Sequence, residues 1–254
     1  MTDLHVSSTS VANDNGYLAL ADVIEVIGDL DGAWRLIGGQ MVTLHVLHHQ
    51  VDVAARETAD TDLGAERVLA SDSRLPAGMA ALGYTLVGGN TFVRGQAPGQ
   101  RSIDVLAPIR YGVNGRSNAP AGNLSVDESP GLRLGLQRPP DRVHVTVRLT
   151  TADELSLTVD LPDLLSAIVL KLGAYRTRLA PRDIEDLWRL LECAHAAGLT
   201  VADWPDDEEA DATLATARTF LSRPTQPAWR VLPRPARTRA VALLIATLPN
   251  VCQT

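Results

Sequence analysis

Trp34-Arg35-Leu36-Ile37-Gly38-Gly39-Gln40-Met41 is the stretch on which the architecture turns. Its first four residues are β-prone and stop at a glycine pair, which predicts a short strand. Met41 to His49 then predicts a helix. A strand, a Gly-Gly turn and a helix start in succession bring unpaired backbone N–H groups and the positive end of a helix dipole to one place. Glycine lets the backbone approach a ligand closely. Gly38 and Gly39 therefore suit a triphosphate.

The next informative segment is Arg56-Glu57-Thr58-Ala59-Asp60-Thr61-Asp62-Leu63, with a short strand expected at 61–63. Residues i and i+2 of a strand point to the same face, so Asp60 and Asp62 project together. Left alone, the two carboxylates repel and one holds its proton. A divalent cation removes the conflict, and Mg²⁺ or Mn²⁺ takes such hard oxygen ligands together with substrate phosphates. Ser102-Ile103-Asp104-Val105-Leu106 reads as a further strand, on which Asp104 supplies a third oxygen. Three carboxylates on adjacent strands suit the two-metal clamp of phosphoryl and nucleotidyl transfer.

Around these segments the 254-residue chain divides by character. Residues 1–16 read as a loose polar tail without the basic region of a signal peptide. Helices are expected at 17–30 and 75–82, and strands at 84–87, 91–94, 143–149 and 155–159. The Gly-, Asn- and Pro-rich span 111–138 reads as a surface loop. After Pro162 helices follow at 163–179, 181–197, 210–221 and 236–247. The expected fold class is α+β: a core over 17–160 with a mixed sheet and flanking helices, then a helical C-terminal domain over 161–254. At 45% hydrophobic and 21% charged residues the chain is too apolar for disorder. No apolar run approaches the ~20 residues of a membrane span, so no membrane partner is expected. Two cysteines, Cys193 and Cys252, make no disulfide framework, and a cytoplasmic location fits.

The net charge of −7 speaks against a generally basic nucleic-acid coat. Yet residues 212–254 hold six arginines and no acid, leaving −13 on the rest. This split permits a local polyanion contact; pairing with the acidic run Asp206 to Asp211 is the plainer reading. Of 23 basic residues only Lys171 is lysine, which marks a position where a compact ammonium is wanted rather than a planar guanidinium. Lys171 and Tyr175 stand four apart on a helix, with Arg178 one turn further on. Asp183 and Asp186 open the next helix, where a surface ion-pair network is the simpler reading.

In order, Ile37-Gly38-Gly39, Arg56 to Leu63, Asn90-Thr91-Phe92-Val93-Arg94, Ser102 to Pro108, Lys171 to Arg176 and Arg182-Asp183-Ile184-Glu185-Asp186-Leu187 resemble the AbiEii-type nucleotidyltransferases. That group includes toxins of abortive-infection systems and the MenT toxins, within the DNA polymerase β-like nucleotidyltransferase superfamily. The resemblance runs from about Trp34 to Cys193. It implies a polymerase β-like core and an NTP-dependent enzyme. Gly38 and Gly39 would hold the triphosphate, with Arg56 and Thr58 also on the nucleotide. Asp60 and Asp62 would bind Mg²⁺ or Mn²⁺, and Asp104 would complete the carboxylates and help deprotonate the attacking hydroxyl. Lys171 would lie near the phosphates, and Asp183 and Asp186 would form the last acidic motif of the catalytic set. Arg182 departs from a lysine common in the family.

By the same resemblance, the acceptor would be RNA, specifically the tRNA 3′ end, with pyrophosphate released and a cognate antitoxin as protein partner. Transfer to a small molecule or a protein side chain, or a non-catalytic nucleotide-binding module, are the alternatives. His45 and His49 share the spacing of a zinc helix, but Val46 stands where such a site needs its glutamate. Cys193, among Leu190, Leu191 and Ala194, reads as core.

Overall fold

The computed structural model describes residues 2–54, 58–97, 99–110 and 115–251. Over these residues the chain is α+β, with a mixed sheet and a helical C-terminal part. The elements run β1 (Thr2–Ser7), α1 (Val11–Ile27), β2 (Trp34–Ile37), α2 (Gly38–His48), β3 (Asp60–Ala65), α3 (Arg67–Ala70) and α4 (Arg74–Ala81). Then come β4 (Thr85–Val87), β5 (Thr91–Arg94), β6 (Arg101–Pro108), β7 (Ala119–Ala121), β8 (Leu124–Ser129), α5 (Leu132–Gln137), β9 (Asp141–Arg148) and β10 (Glu154–Leu161). Helices α6 (Leu164–Arg178), α7 (Pro181–Ala196), α8 (Glu208–Phe220) and α9 (Arg234–Thr247) complete the chain.

The larger sheet has the order β2-β3-β6-β5-β4. Strand β3 is antiparallel to β2 and parallel to β6. The other edge of β6 is shared: β5 pairs with residues 101–104, and β8 pairs in parallel with 106–108. Strands β1, β9 and β10 form a second sheet. Alternation explains the strands. On β6 Ile103, Val105 and Ala107 are buried while Asp104 and Leu106 face the other way.

Helix α1 starts at Ser10, whose side chain accepts from the Asn13 N–H, and buries Tyr17, Leu20 and Val23. Helix α7 starts with Pro181, whose missing N–H costs nothing in the first turn. Its apolar stripe, Ile184, Leu187, Leu190 and Leu191, meets Ile168 and Leu172 of α6 in an apolar core continuous with that of the sheets.

Two sequence expectations are corrected. Residues 1–16 are not a loose tail: β1 pairs in parallel with β9, Leu4 is buried, and α1 begins at Val11. The buried carboxylate of Asp14 accepts from the N–H of Thr150 at 3.1 Å and ties this segment to the β9–β10 turn. Nor is 111–138 a loop throughout, because β7, β8 and α5 lie within it. In β8, Leu124, Val126 and Glu128 occupy the buried phase, and the glutamate disguises the alternation. Gly131, at φ +85, starts α5 where a Cβ would press within 2.9 Å of Val169.

Candidate active site

Strand pairing brings the three carboxylates together. Asp62 stands opposite Asp104 in the parallel β3–β6 register, and Asp60 lies two residues earlier on the same face. Across β6 on the other side, Thr91 is opposite Asp104, and its hydroxyl donates to Asp104 Oδ1. Strand β2 delivers the chain to the same place: Ile37 pairs with Asp62, and the next residue, Gly38, turns with φ +73. A Cβ on Gly38 would lie 1.8 Å from Asp62 Oδ2, so only glycine fits there. Ile37 caps α2 without a side-chain hydrogen bond of its own, so the uncapped start of the helix lies beside the carboxylates.

Gly38, Gly39, Thr58, Asp60, Asp62, Asp104, Lys171, Arg178 and Arg182 line one polar cleft of about 490 Å³. An apolar lobe of about 400 Å³ adjoins it, sharing Gly38, Asp62, Lys171 and Arg178 and walled by Ile37, Met41, Leu106 and Leu170. Of the expected site residues, Gly38, Gly39, Thr58, Asp60, Asp62, Asp104 and Lys171 are thus gathered at one place. Arg56 lies outside the described residues.

Asp183 and Asp186 do not line the cleft. Both are fully buried behind it and act on its cations. Lys171 Nζ donates to Asp186 Oδ2 at 2.8 Å, with side chains only 5% and 0% exposed. Arg178 donates to both oxygens of Asp183, at 2.7 and 2.6 Å, while its exposed side reaches the cleft. The surface ion-pair network that the sequence leaves open at Asp183 and Asp186 is instead a pair of buried anchors. Sequence reasoning did not place Arg178, Arg182 or Thr91 in the site. The spacing of Arg178 and Lys171 on one helix was the available signal, while Thr91 depends on strand register.

Burial pushes the Asp62 carboxyl up to about 6; Lys171 opposes this and the Asp104 charge adds to it. Burial also raises Asp104, against the hydrogen bond from Thr91. Carboxylates strained in this way favour a cation. Among the described residues no three acidic, imidazole or thiol groups form a ready-made metal cage. Mg²⁺ and Mn²⁺ accept one or two carboxylates and complete their shell with water and phosphate oxygens. The hard oxygens of Asp60, Asp62 and Asp104 fit that requirement by their chemistry.

The histidines lie elsewhere. His45 is fully buried, 3.0 Å from the Pro162 carbonyl through Nε2, with its pKa lowered to about 3 by burial. Cys193 is core. The basic C-terminal stretch is partly engaged within the fold. Arg239 makes a two-point pair with Glu192, Arg237 donates to the Leu232 carbonyl and Arg218 to that of Asn250. In the acidic run, Asp207 instead takes Arg133 of α5. Among the described residues no helix is long and apolar enough to cross a membrane. No protein-family model matches the chain, and no curated protein matches it.

Proposed function

We propose that this cleft is the active site of an NTP-dependent nucleotidyltransferase of the polymerase β-like type, resembling the AbiEii and MenT toxins. The observation that carries the reading is the in-register pair Asp62–Asp104 facing the Gly38-Gly39 helix start across from Lys171 and Arg178. Carboxylates beside a cationic rim are what a metal–triphosphate needs, since each part answers a different charge on it. Mg²⁺ or Mn²⁺, when bound by Asp60, Asp62 and Asp104, supplies charge neutralisation at the reacting phosphate.

The chain's own groups do the rest. The N–H groups of Gly38 and Gly39, with Thr58, cradle the phosphates. Lys171, held by Asp186, and Arg178, held by Asp183, fix their charge without searching rotamers. Asp104 accepts the proton of an acceptor hydroxyl at Oδ2, because Thr91 occupies Oδ1. The acceptor oxygen bonds to the α-phosphorus, the bond to the β-phosphate oxygen breaks, and pyrophosphate leaves. RNA, with the tRNA 3′ end as its instance, is the acceptor in this reading, and toxicity restrained by an antitoxin is the corresponding biological role.

Pyrophosphate release tests the reaction class. Full-length protein given each NTP, Mn²⁺ and RNA should release pyrophosphate only when RNA is present. Release on adding a small hydroxyl compound or a protein instead would move the acceptor to those classes. NTP binding without release from any acceptor would make the chain a nucleotide-binding module.

A further inference from the structure

A second cationic cavity lies at the opposite end of the same strands. It is open to solvent and is lined by Arg67, Arg110, Arg116, Ser117, Asn118 and Glu128, among others. Three arginines and one carboxylate line it. Glu128, whose side chain is 3% exposed, is already committed: it pairs with Arg67 and accepts from the backbone N–H groups of Arg110 and Arg116, both at 3.2 Å. The other nearby acid, Asp127, accepts from the Asn118 N–H at 3.0 Å. Among the described residues no carboxylate pairs with the side chain of Arg110 or Arg116, and both residues are exposed. Among the described residues Arg67 Nε is buried with no hydrogen-bond partner. A buried donor left unsatisfied is costly unless something answers it.

We infer that this cavity is a phosphate-binding subsite for the backbone of an RNA acceptor. The inference rests on the nucleotidyltransferase reading of the cleft. Arginine suits the role because its planar fork meets two phosphate oxygens at once. Position supports it too. Pro108, which ends β6, gives its carbonyl to Arg67 at 3.1 Å, and Asp104 lies on the same strand. Four residues of strand separate Asp104 from Pro108, about 13 Å at roughly 3.3 Å each. A stacked strand advances ~3.4 Å per nucleotide. An RNA whose terminal hydroxyl meets Asp104 and whose strand follows β6 would have a phosphate about four nucleotides back at that distance. On a chain of net charge −7, such a local cationic site is what lets a polyanion dock.

The test uses full-length protein and the double variant Arg110→Gln/Arg116→Gln. Both side chains are exposed and unpaired with acids, and Arg67 stays in place to hold Glu128. Affinity for a labelled single-stranded RNA is measured across a salt series, inorganic phosphate is titrated by calorimetry, and Mn²⁺-dependent NTP binding is measured on both proteins. The parent should show a steep salt dependence. The variant should bind RNA roughly tenfold more weakly at low salt, with the log–log slope flatter by about 1.4, or ~0.7 for each lost contact. NTP binding should be equal in the two. An unchanged RNA affinity and slope, or no RNA binding by the parent, overturns the inference. Loss of inorganic phosphate binding with an unchanged RNA slope overturns it as well and assigns the cavity to a free small anion. Absence of NTP binding in the parent counts instead against the carboxylate cleft, so the two failures are distinguishable.

Discussion

Gly38 and Asp62 are built against each other: a Cβ on the glycine would stand 1.8 Å from the aspartate Oδ2. The glycine also turns at φ +73, so a side chain there meets both backbone strain and a clash. Gly198 separates these effects, since it has φ +72 and nothing within 4 Å of an added Cβ. Gly198→Ala should cost the backbone term alone, about 1 kcal/mol. Gly38→Ala should cost more in a denaturant melt and should abolish metal-dependent NTP binding. Equal losses in the two variants would show that contact with Asp62 is unimportant.

The raised pKa of Asp62 has a consequence for stability. A folded-state pKa of about 6, above the ordinary 3.8, means the native state binds the extra proton. The stability this proton confers is complete below pH ~3.8 and is lost as pH rises through about 6. Asp104 and Asp60 add repulsion, and Lys171 and Arg178 oppose it. In chelator at neutral pH, Asp62→Asn should therefore melt higher than the parent, with the difference vanishing in acid. Mg²⁺ should raise the parent's Tm and leave that of the variant nearly unmoved. A variant that melts lower at neutral pH would contradict this sign.

Lys171 and Asp186 form a buried pair, and removing one partner strands the other charge. Asp186→Asn should cost roughly 3–5 kcal/mol by chemical denaturation. Lys171→Met with Asp186→Leu should recover much of that stability but no activity, because the cleft then lacks its ammonium. Lys171→Arg keeps the charge but places a larger planar group beside Gly38 and Asp62, and it should also impair turnover. A fully active Lys171→Arg would leave the single lysine without chemical meaning.

Arg239 is a test of the basic C-terminal stretch. Its pair with Glu192 is half-exposed at the arginine and buried at the glutamate. Arg239→Gln should lower Tm by leaving the buried Glu192 charge with only the Trp188 indole N–H and should not change RNA affinity. An unchanged Tm with weakened RNA binding would return that stretch to the binding surface.

Much of the site was legible because it rests on local rules. The strand-turn-glycine pattern at Trp34 to Gly39, the same-face spacing of Asp60 and Asp62, and the apolar alternation around Asp104 each depend on a few neighbouring residues. The long helices were legible through periodicity and through Pro181 and Gly198. What failed depends on distant partners. Strand β1 is short and polar by composition and is fixed by pairing with β9, some 140 residues later. Strand β8 hides its alternation because Glu128 is buried for the sake of Arg67 and two backbone N–H groups. Asp183 and Asp186 enter the catalytic set through the family resemblance, and only the packing of α6 on α7 shows that they hold Arg178 and Lys171 from behind.

The most direct measurement follows the label. Full-length protein, Mg²⁺ or Mn²⁺ and RNA are incubated with NTP carrying label on either the α- or the γ-phosphate, alongside Asp62→Asn. α-Label should become covalently attached to RNA, γ-label should leave as pyrophosphate, and Asp62→Asn should transfer neither. Attachment of γ-label, transfer by Asp62→Asn at the parent's rate, or no transfer of α-label from any NTP would contradict the nucleotidyltransferase reading.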